Sequence, residues 1–235
     1  MVTNNFRRIE QKYLLTEIEY QKIKDLIKIH CEKNEYYFSE IRNIYYDNDN
    51  NDIINNCYSY YKYRCKYRIR SYKEITSEDD LIFAEIKTKL NDIGYKRRAV
   101  ITYKEYKEFI SKRILPKNYS QIMKEIQFYI ESRYLKPYMY IAYNRISFYE
   151  KENPDLRITF DSNLRYRLEN LELRDSFNDK KYFDSNIYIM EIKSNTGLPI
   201  WLNEYLTENK LYKTAFSKMK KIYEKECNEK CLKVY

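Results

Sequence analysis

Acidic and basic side chains recur two residues apart in several segments of this 235-residue chain. The clearest pairs are Glu10 and Lys12, Arg68 and Arg70, Glu85 and Lys87, and Glu191 and Lys193. Because successive side chains of a β-strand point to opposite faces, both members of each pair are predicted to lie on one face of a sheet. The residues of opposite parity are often apolar, as Ile86 is between Glu85 and Lys87. The pattern predicts an ionic face with an excess of cations, which favours a polyanionic ligand.

In the folded chain, the ionic faces of such strands are expected to line a common interior. A closed antiparallel β-barrel with a polar, cation-lined interior and helices packed outside is the simplest arrangement. We therefore expect an α+β fold with a closed barrel, in which the interior forms a tunnel. The length and the 43% hydrophobic content are sufficient for a real core. We expect one domain that spans residues 1–235.

Composition restricts the function classes. The net charge of +9 indicates an anionic partner, although charge alone does not separate nucleic acid, a membrane surface and phosphorylated small molecules. The chain has two glycines, Gly94 and Gly197, which excludes a glycine-rich phosphate loop, so side chains must hold any phosphate. Without a long apolar run, a signal-peptide core or a C-x-x-C pair, we expect a cytoplasmic protein with reduced thiols and no direct membrane insertion.

The first half of the chain is predicted to form the basic strands. After a strand around FRRIEQKYLL, Thr16 and Glu19 form a capping box for a helix. A strand around SEIRNIYYD then leads through the polar turn DNDNND to a long strand, YYKYRCKYRIRSY. This strand places five cations on one parity, namely Lys62, Arg64, Lys66, Arg68 and Arg70. LIFAEIKTKL and YKRRAVITY then form a hairpin through Asn91 to Gly94, which would bring Lys87 close to Lys96 or Arg98.

The second half alternates helices and strands. Residues 105–135 are predicted to form two amphipathic helices broken near Pro116, with Ser120 as the cap of the second. Strands follow in YMYIAYNRISFY, LRITFDSNLRYR and IYIMEIKS. Pro199 suits the first turn of a helix, and a last helix is expected to begin near Ala215. The single histidine, His30, is expected to pack or to cap its helix rather than to act in catalysis.

The residue types favour a chain of phosphates as the ligand. Buried cations are costly unless an anion pairs with them, and arginine and lysine bind phosphate oxygens in complementary ways. Glu10, Glu85 and Glu191 would hold a divalent cation or orient the lysines, and we favour Glu191 as the metal ligand.

Nine segments, taken in order, resemble a known family. They are RRIEQKY, SEIRNIYYD, RCKYRIRSY, FAEIKTK, YKRR, AYNRISF, LRITFD, IMEIKS and FSKM. The chain resembles the polyphosphate polymerase domain of the vacuolar transporter chaperone (VTC) family, within the CYTH-like superfamily of triphosphate tunnel metalloenzymes. The resemblance covers roughly residues 6–224. It implies transfer of the γ-phosphoryl group of ATP to a growing polyphosphate chain, with Mn²⁺ or Mg²⁺ as cofactor.

The resemblance also implies site residues. The catalytic set would be Lys12, Arg68, Arg70, Lys87, Arg145, Arg157 and Lys218. Further contacts with phosphate are assigned to Arg8, Arg64, Lys66, Lys96, Arg98, Tyr143, Lys193 and Ser217. Glu191 would bind the metal ion, and Glu10 and Glu85 are the other candidates. The expected ligands are ATP and polyphosphate, with a membrane-protein partner if the product is exported.

One departure separates the alternatives. The E-x-E-x-K signature of the superfamily has Arg8 in place of its first glutamate, which favours the polymerase branch over the hydrolase branch. The alternatives are a metal-dependent inorganic or nucleoside triphosphatase and a non-catalytic polyphosphate-binding subunit. Nucleic-acid binding ranks last, because the paired carboxylates would repel a phosphate backbone.

Overall fold

The computed structural model describes residues 9–58, 63–90, 93–174 and 178–232, with side chains up to 229. Within them the chain forms an α+β fold with a large, mainly antiparallel sheet. The strands are β1 (Ile9–Thr16), β2 (Cys31–Asp47), β3 (Tyr63–Ser71), β4 (Leu81–Leu90), β5 (Ile93–Thr102), β6 (Lys136–Glu150), β7 (Arg157–Arg167), β8 (Lys180–Lys181) and β9 (Ile187–Ser194). The helices are α1 (Glu17–His30), α2 (Asp52–Asn55), α3 (Tyr103–Lys112), α4 (Gln121–Ser132), α5 (Ile200–Glu208) and α6 (Lys218–Leu232).

The strands form one hydrogen-bonded series. Their order is β1-β9-β7-β6-β2-β3-β4-β5, and β8 pairs with β7. The pairings β1–β9, β7–β9, β7–β8, β2–β3, β3–β4 and β4–β5 are antiparallel. Among the described residues the series ends at β1 and at β5, and the sheet does not close between them. The predicted antiparallel sheet is therefore confirmed, whereas its closure into a barrel is not.

Residue contacts divide the chain into two compact units. Unit 1 comprises Met1–Ser39, Tyr143–Leu164 and Phe183–Ser217. Unit 2 comprises Glu40–Ala142, Arg165–Tyr182 and Lys218–Tyr235. Strands β2, β6 and β7 each contribute residues to both units, because the unit boundaries fall within them.

The core of unit 1 lies on the apolar face of its strands. Residues of one parity are buried there, namely Tyr13, Leu15, Ile158, Phe160, Met190 and Ile192. They pack with Tyr20, Ile23 and Ile27 of α1 and with Leu202 and Leu206 of α5. Fully burying an aliphatic side chain of this size contributes about 1.5–3 kcal/mol. The helices therefore cover one face of the strands and leave the other to the charged residues.

Helix α1 begins as the sequence predicts. Thr16 accepts a hydrogen bond from the Glu19 backbone N–H, and the Glu19 side chain accepts one from the Thr16 backbone N–H at 2.7 Å. His30 is the last residue of the helix, and its ring stacks on Trp201 with centroids 4.4 Å apart. The prediction of a packing role for His30 is confirmed.

The core of unit 2 follows the same alternation. Ile69, Ala84, Ile86 and Ala99 are buried on the parity opposite to the cations. Helix α4 packs against β4 and β5, and α3 packs against β5. A second capping box, of Thr102 and Glu105, starts α3 two residues before the predicted boundary. Ser120 occupies the N-cap of α4 as predicted, but its side chain makes no capping hydrogen bond.

Three boundaries differ from the prediction. Strand β2 begins at Cys31 rather than Ser39, and α6 begins at Lys218 rather than near Ala215. The polar DNDNND segment, residues 47–52, leads into the short helix α2, whose first turn is held by Asp47. Its carboxylate accepts the N–H groups of Ile53 at 2.8 Å and Ile54 at 2.9 Å, so local capping overrides the turn-rich composition. Among the described residues, every helix is too short or too polar to traverse a bilayer.

Candidate functional site

Three strands of unit 1 present their charged residues in adjacent rows. Lys12 of β1 lies opposite Glu191 of β9, and Glu191 lies opposite Thr159 of β7. In the next row of the same face, Glu10, Lys193 and Arg157 are aligned in the same way. Directly opposed residues of antiparallel strands project to one face. The spacing of two predicted from the sequence thus becomes a continuous ionic face.

Glu191 is the centre of this face. Its side chain lies 2.7 Å from Lys193 and 3.4 Å from Arg145, although the residue is only 6% exposed. Arg145 in turn makes a bidentate ion pair with buried Asp161, at 2.5 Å and 2.7 Å. Lys12 lies 3.3 Å from Glu10. We call these six residues, Glu10, Lys12, Arg145, Asp161, Glu191 and Lys193, the Glu191 cluster.

The charges of the Glu191 cluster determine its protonation. Burial would raise the pKa of Glu191, but Lys193, Arg145 and Lys12 outweigh burial and hold the pKa well below its usual value. Burial would also lower the pKa of Arg145, but Asp161 outweighs it and raises that pKa. The carboxylate and the guanidinium therefore remain charged at neutral pH.

A segment before α6 docks on β1 beside this cluster. The Thr214 backbone N–H donates to the Lys12 carbonyl at 2.8 Å, and Lys12 Nζ donates to the Phe216 carbonyl at 3.1 Å. Ser217, the next residue, is half-buried and ends unit 1. Lys218 is half-buried and begins α6 in unit 2. The sequence predicts that Ser217 and Lys218 lie on one helix. The helix instead begins at Lys218, so Ser217 precedes it.

Four strands of unit 2 form a second set of ionic rows. One row contains Tyr45, Arg68, Glu85 and Arg98, from β2, β3, β4 and β5 respectively. The next row of the same face contains Lys66, Lys87 and Lys96, which confirms the predicted closeness of Lys87 and Lys96. Arg64 lies opposite Lys89, one row further along.

Glu85 is the centre of the second face. It is 1% exposed, and its oxygens lie 2.7 Å from Arg68 and 2.6 Å from Lys96. Arg70 and Arg98 follow at 3.9 Å and 4.0 Å. We call Arg68, Arg70, Glu85, Lys96 and Arg98 the Glu85 cluster. At least four cations thus surround one carboxylate, which leaves a surplus of positive charge.

The pKa of Glu85 reflects this surplus. Burial would raise it, but Arg68, Arg70 and Lys96 outweigh burial and lower the pKa to about 2. Lys96 experiences the opposite balance: burial lowers its pKa, and Glu85 only partly compensates. Burial thus disfavours both the Glu85 carboxylate and the Lys96 ammonium group, and the ion pairs keep the carboxylate ionised.

Two residues on the ionic face of unit 2 were missed by the sequence reasoning. Asn43 accepts a hydrogen bond from Arg70 Nε at 2.8 Å and donates to the Ile141 carbonyl at 3.0 Å. The Tyr45 hydroxyl accepts one from Arg68 Nη1 at 2.9 Å. Both lie on the same face as the cations because of the β2–β3 register. That register cannot be predicted from the sequence of either strand alone.

The remaining predicted residues divide by unit. Tyr143 belongs to unit 1, where the Arg145 guanidinium lies 5.4 Å from its ring centroid. Arg157 is exposed on the ionic face of the same unit, and Lys87 is exposed on that of unit 2. Arg8 and Lys62 lie outside the described residues. The cations predicted to form one lining are therefore distributed between the two clusters and their adjoining rows.

The predicted metal ligands differ in how well they suit a divalent cation. Within the described residues, no group of three or more histidine, cysteine, aspartate or glutamate side chains is arranged to hold a metal ion. Glu85 does not fit a divalent cation, because at least four cations surround it. Glu191 fits better, because Asp161 binds the same Arg145 nitrogen and supplies a second carboxylate. Mg²⁺ and Mn²⁺ are commonly held by one or two carboxylates together with phosphate oxygens of the substrate.

The fold and these ionic faces define a class of protein. The family model described as the VTC domain matches residues 7–225, so the chain belongs to the VTC domain family. One family model thus spans both units.

One solved structure shows a similar fold, and a second matches with a lower score. A protein from Bacillus halodurans, provisionally named an adenylate cyclase, has a TM-score of 0.55 at 13% identity, covering 89% of this chain and 93% of that chain. A protein from Pyrococcus horikoshii OT3 has a TM-score of 0.49 at 14% identity, covering 93% of this chain and 99% of that chain. At these identities, the likeness of the first concerns the fold alone. No curated protein matches the sequence.

Proposed function

We propose that this protein is a polyphosphate polymerase, a phosphotransferase that moves the γ-phosphoryl group of ATP to the end of a polyphosphate chain. Membership of the VTC domain family, a triphosphate-tunnel type of protein, supports the proposal.

One observation carries the proposal. At least four cations lie within 4.0 Å of the single buried carboxylate of Glu85. The four cations carry more positive charge than Glu85 neutralises, and an anion with several negative groups complements this surplus. A triphosphate or polyphosphate chain supplies them at regular intervals along the chain. Arginine can bind its oxygens in a bidentate manner, and lysine adds a compact charge.

The proposed reaction needs positioning more than covalent chemistry. In-line phosphoryl transfer is accelerated mainly by alignment and by neutralisation of charge on the transferring group. Arg68, Arg70 and Lys96 would bind phosphate oxygens in unit 2, and Lys12, Arg145 and Lys193 would do so in unit 1. The acceptor is a terminal phosphate that is already anionic, so a general base is not required.

A divalent cation is proposed as cofactor. Glu191, with Asp161 beside it, would hold Mn²⁺ or Mg²⁺ together with phosphate oxygens of ATP. The bound ion would neutralise charge on the phosphates during transfer. Glu10 and Lys12, which pair at 3.3 Å, would orient the adjoining cations.

Product analysis tests the proposal. The purified protein is incubated with ATP and Mn²⁺ or Mg²⁺, and ADP, orthophosphate and polyphosphate are measured. A polymerase yields ADP with a lengthening anionic polymer. Orthophosphate released in step with ADP would instead assign a triphosphatase. Binding of polyphosphate without any turnover would assign a non-catalytic subunit.

A further inference from the structure

Tyr45 lies beside the Glu85 cluster, in the same row as Arg68 and Glu85. Its hydroxyl accepts a hydrogen bond from Arg68 Nη1 at 2.9 Å, and the guanidinium lies 5.7 Å from its ring centroid. Glu85 binds Arg68 Nε at 2.8 Å and Nη2 at 2.7 Å. Tyr45 and Glu85 together therefore engage all three guanidinium nitrogens. Each of the three nitrogens thus already has one contact, and a phosphate that binds Arg68 at Nη1 competes with Tyr45 for that nitrogen.

The groups that face Tyr45 are mainly cationic. From β3 these are Lys66, Arg68 and Arg70, and Glu85 of β4 is reached through Arg68. On β2 itself, neutral Asn43 binds Arg70, and Asp47 is occupied by backbone N–H groups of α2. The charged residue of β6 in unit 2, Lys136, pairs with Asp49. The negative charge of Glu85 is therefore already shared among several cations.

This surrounding field acts on the phenol. Burial would raise the pKa of Tyr45, but Arg68, Arg70 and Lys66 outweigh burial and lower the pKa to about 7. Near neutral pH, both the phenol and the phenolate are then populated. The phenolate would offset part of the surplus positive charge of the cluster when no ligand is bound.

We propose that Tyr45 is a proton-linked positioning residue: its phenolate oxygen holds Arg68 in the empty site and takes up one proton from solvent when a phosphate group replaces it there. The inference rests on the proposed function, because it requires phosphate binding at the Glu85 cluster. A bound phosphate neutralises the cations, so the phenolate loses its stabilising field and its pKa rises. The neutral hydroxyl can then donate a hydrogen bond to a phosphate oxygen.

The proposal predicts how phosphate binding depends on pH. Proton uptake on binding weakens affinity by up to about tenfold for each pH unit above the pKa of the free residue. Below that pKa the phenol is already protonated, so the contribution of Tyr45 disappears. Tripolyphosphate titrates as well, but its own protons are common to all variants and cancel in a comparison.

Isothermal titration calorimetry of the full chain with tripolyphosphate tests this. Wild type, Tyr45→Phe and Tyr67→Phe are titrated at pH 6 and pH 8 in buffers of different ionisation enthalpy, which gives the number of protons taken up. At pH 8 the wild type should take up about 0.9 proton more than Tyr45→Phe, and at pH 6 only about 0.1 more. Tyr67 is the matched control, because it is buried on the opposite face and burial raises its pKa well above the usual value. Tyr67→Phe should behave as the wild type.

The outcomes separate the two proposals. Binding with equal proton numbers in wild type and Tyr45→Phe overturns the role of Tyr45 and leaves the proposed function intact. Absence of binding in the wild type overturns both. Should Tyr45→Phe fail to fold, the wild type alone decides: tripolyphosphate added at pH 8 should decrease the near-ultraviolet absorbance of phenolate. Unchanged absorbance at saturating ligand contradicts the proposal.

Discussion

Single side chains account for the electrostatics of both clusters. In unit 2, Arg68 bonds to Glu85 on one side and to Tyr45 on the other, so its guanidinium is fixed before a ligand arrives. In unit 1, Arg145 is held in the same way by Asp161 and Glu191. Such preorganisation reduces the ordering that must accompany binding and transfer. Each arginine therefore depends on a carboxylate that would otherwise be out of place in an anion-binding site.

Arg68→Ala tests the first of these arrangements. The substitution removes a fixed donor from the phosphate site while Glu85 retains Lys96 at 2.6 Å, so the protein should still fold. We expect the rate of polyphosphate synthesis to fall by about 100-fold or more. Arg97→Ala is the control, because Arg97 lies on the opposite face of β5 and pairs with Glu125 of α4. Equal rates in both variants would contradict the assignment of Arg68.

Glu85→Gln tests the charge balance through pH. The pKa of Glu85 is about 2 in the folded chain, below the ordinary value of 4.5, since the surrounding cations outweigh burial. Its stabilising contribution is therefore complete above pH 4.5 and is lost as the pH falls towards 2. The difference between the two pKa values corresponds to about 3 kcal/mol.

The measurement is denaturant unfolding of wild type and Glu85→Gln across this pH range. Because protonated Glu85 resembles glutamine, the gap between their free energies of unfolding should shrink by about 3 kcal/mol from pH 4.5 to pH 2. Other carboxylates titrate in both proteins and cancel in the comparison. A gap that is independent of pH would show that Glu85 is not held ionised by the cluster.

At the scale of elements, strand alternation was predictable, whereas the partners across strands were not. The i, i+2 pattern identified the ionic faces of β1, β3, β4, β5 and β9. The hairpin signal offered Lys96 or Arg98 as the neighbour of Lys87, and the register selects Lys96. The pairs Arg145–Asp161 and Arg68–Tyr45 join different strands. They depend on register, which no single segment contains, so Asp161 and Tyr45 were not predicted as site residues.

Helix capping provides a prediction at this scale. Thr16 caps α1 through its side chain, whereas Ser120 occupies the same position of α4 without a capping hydrogen bond. Thr16→Ala should therefore lower the free energy of unfolding by about 1 kcal/mol. Ser120→Ala is the matched control and should cost less than Thr16→Ala, as measured by chemical denaturation. A larger loss at Ser120 would contradict the capping assignment.

Substitutions on the apolar face of the β-strands should affect stability, and substitutions on the ionic face should affect binding. Ile69 is fully buried on the apolar face of β3, so Ile69→Ala should cost about 2–5 kcal/mol in unfolding free energy. Lys87 is exposed on the ionic face of β4, so Lys87→Ala should change stability by about 0.5 kcal/mol or less. Polyphosphate binding, measured by calorimetry on folded protein, should weaken in Lys87→Ala only. The reverse pattern would show that the ionic face does not bind the polymer.

At the scale of the whole molecule, the ionic face recurs in both compact units. Each has a buried glutamate with paired cations on one face of its strands and a helix-covered apolar core on the other. Composition and order of segments were sufficient to predict the α+β class and the family. They were not sufficient to predict the ends of the sheet, because these depend on long-range strand pairing.

The fate of the γ-phosphoryl group tests the central claim most directly. The wild-type chain is incubated with γ-labelled ATP, Mn²⁺ and a short polyphosphate, and the labelled products are separated by size. The account predicts that label moves into chains longer than the added one, in a 1:1 ratio to ADP formed. Label recovered as orthophosphate, with the added polyphosphate unextended, would contradict it.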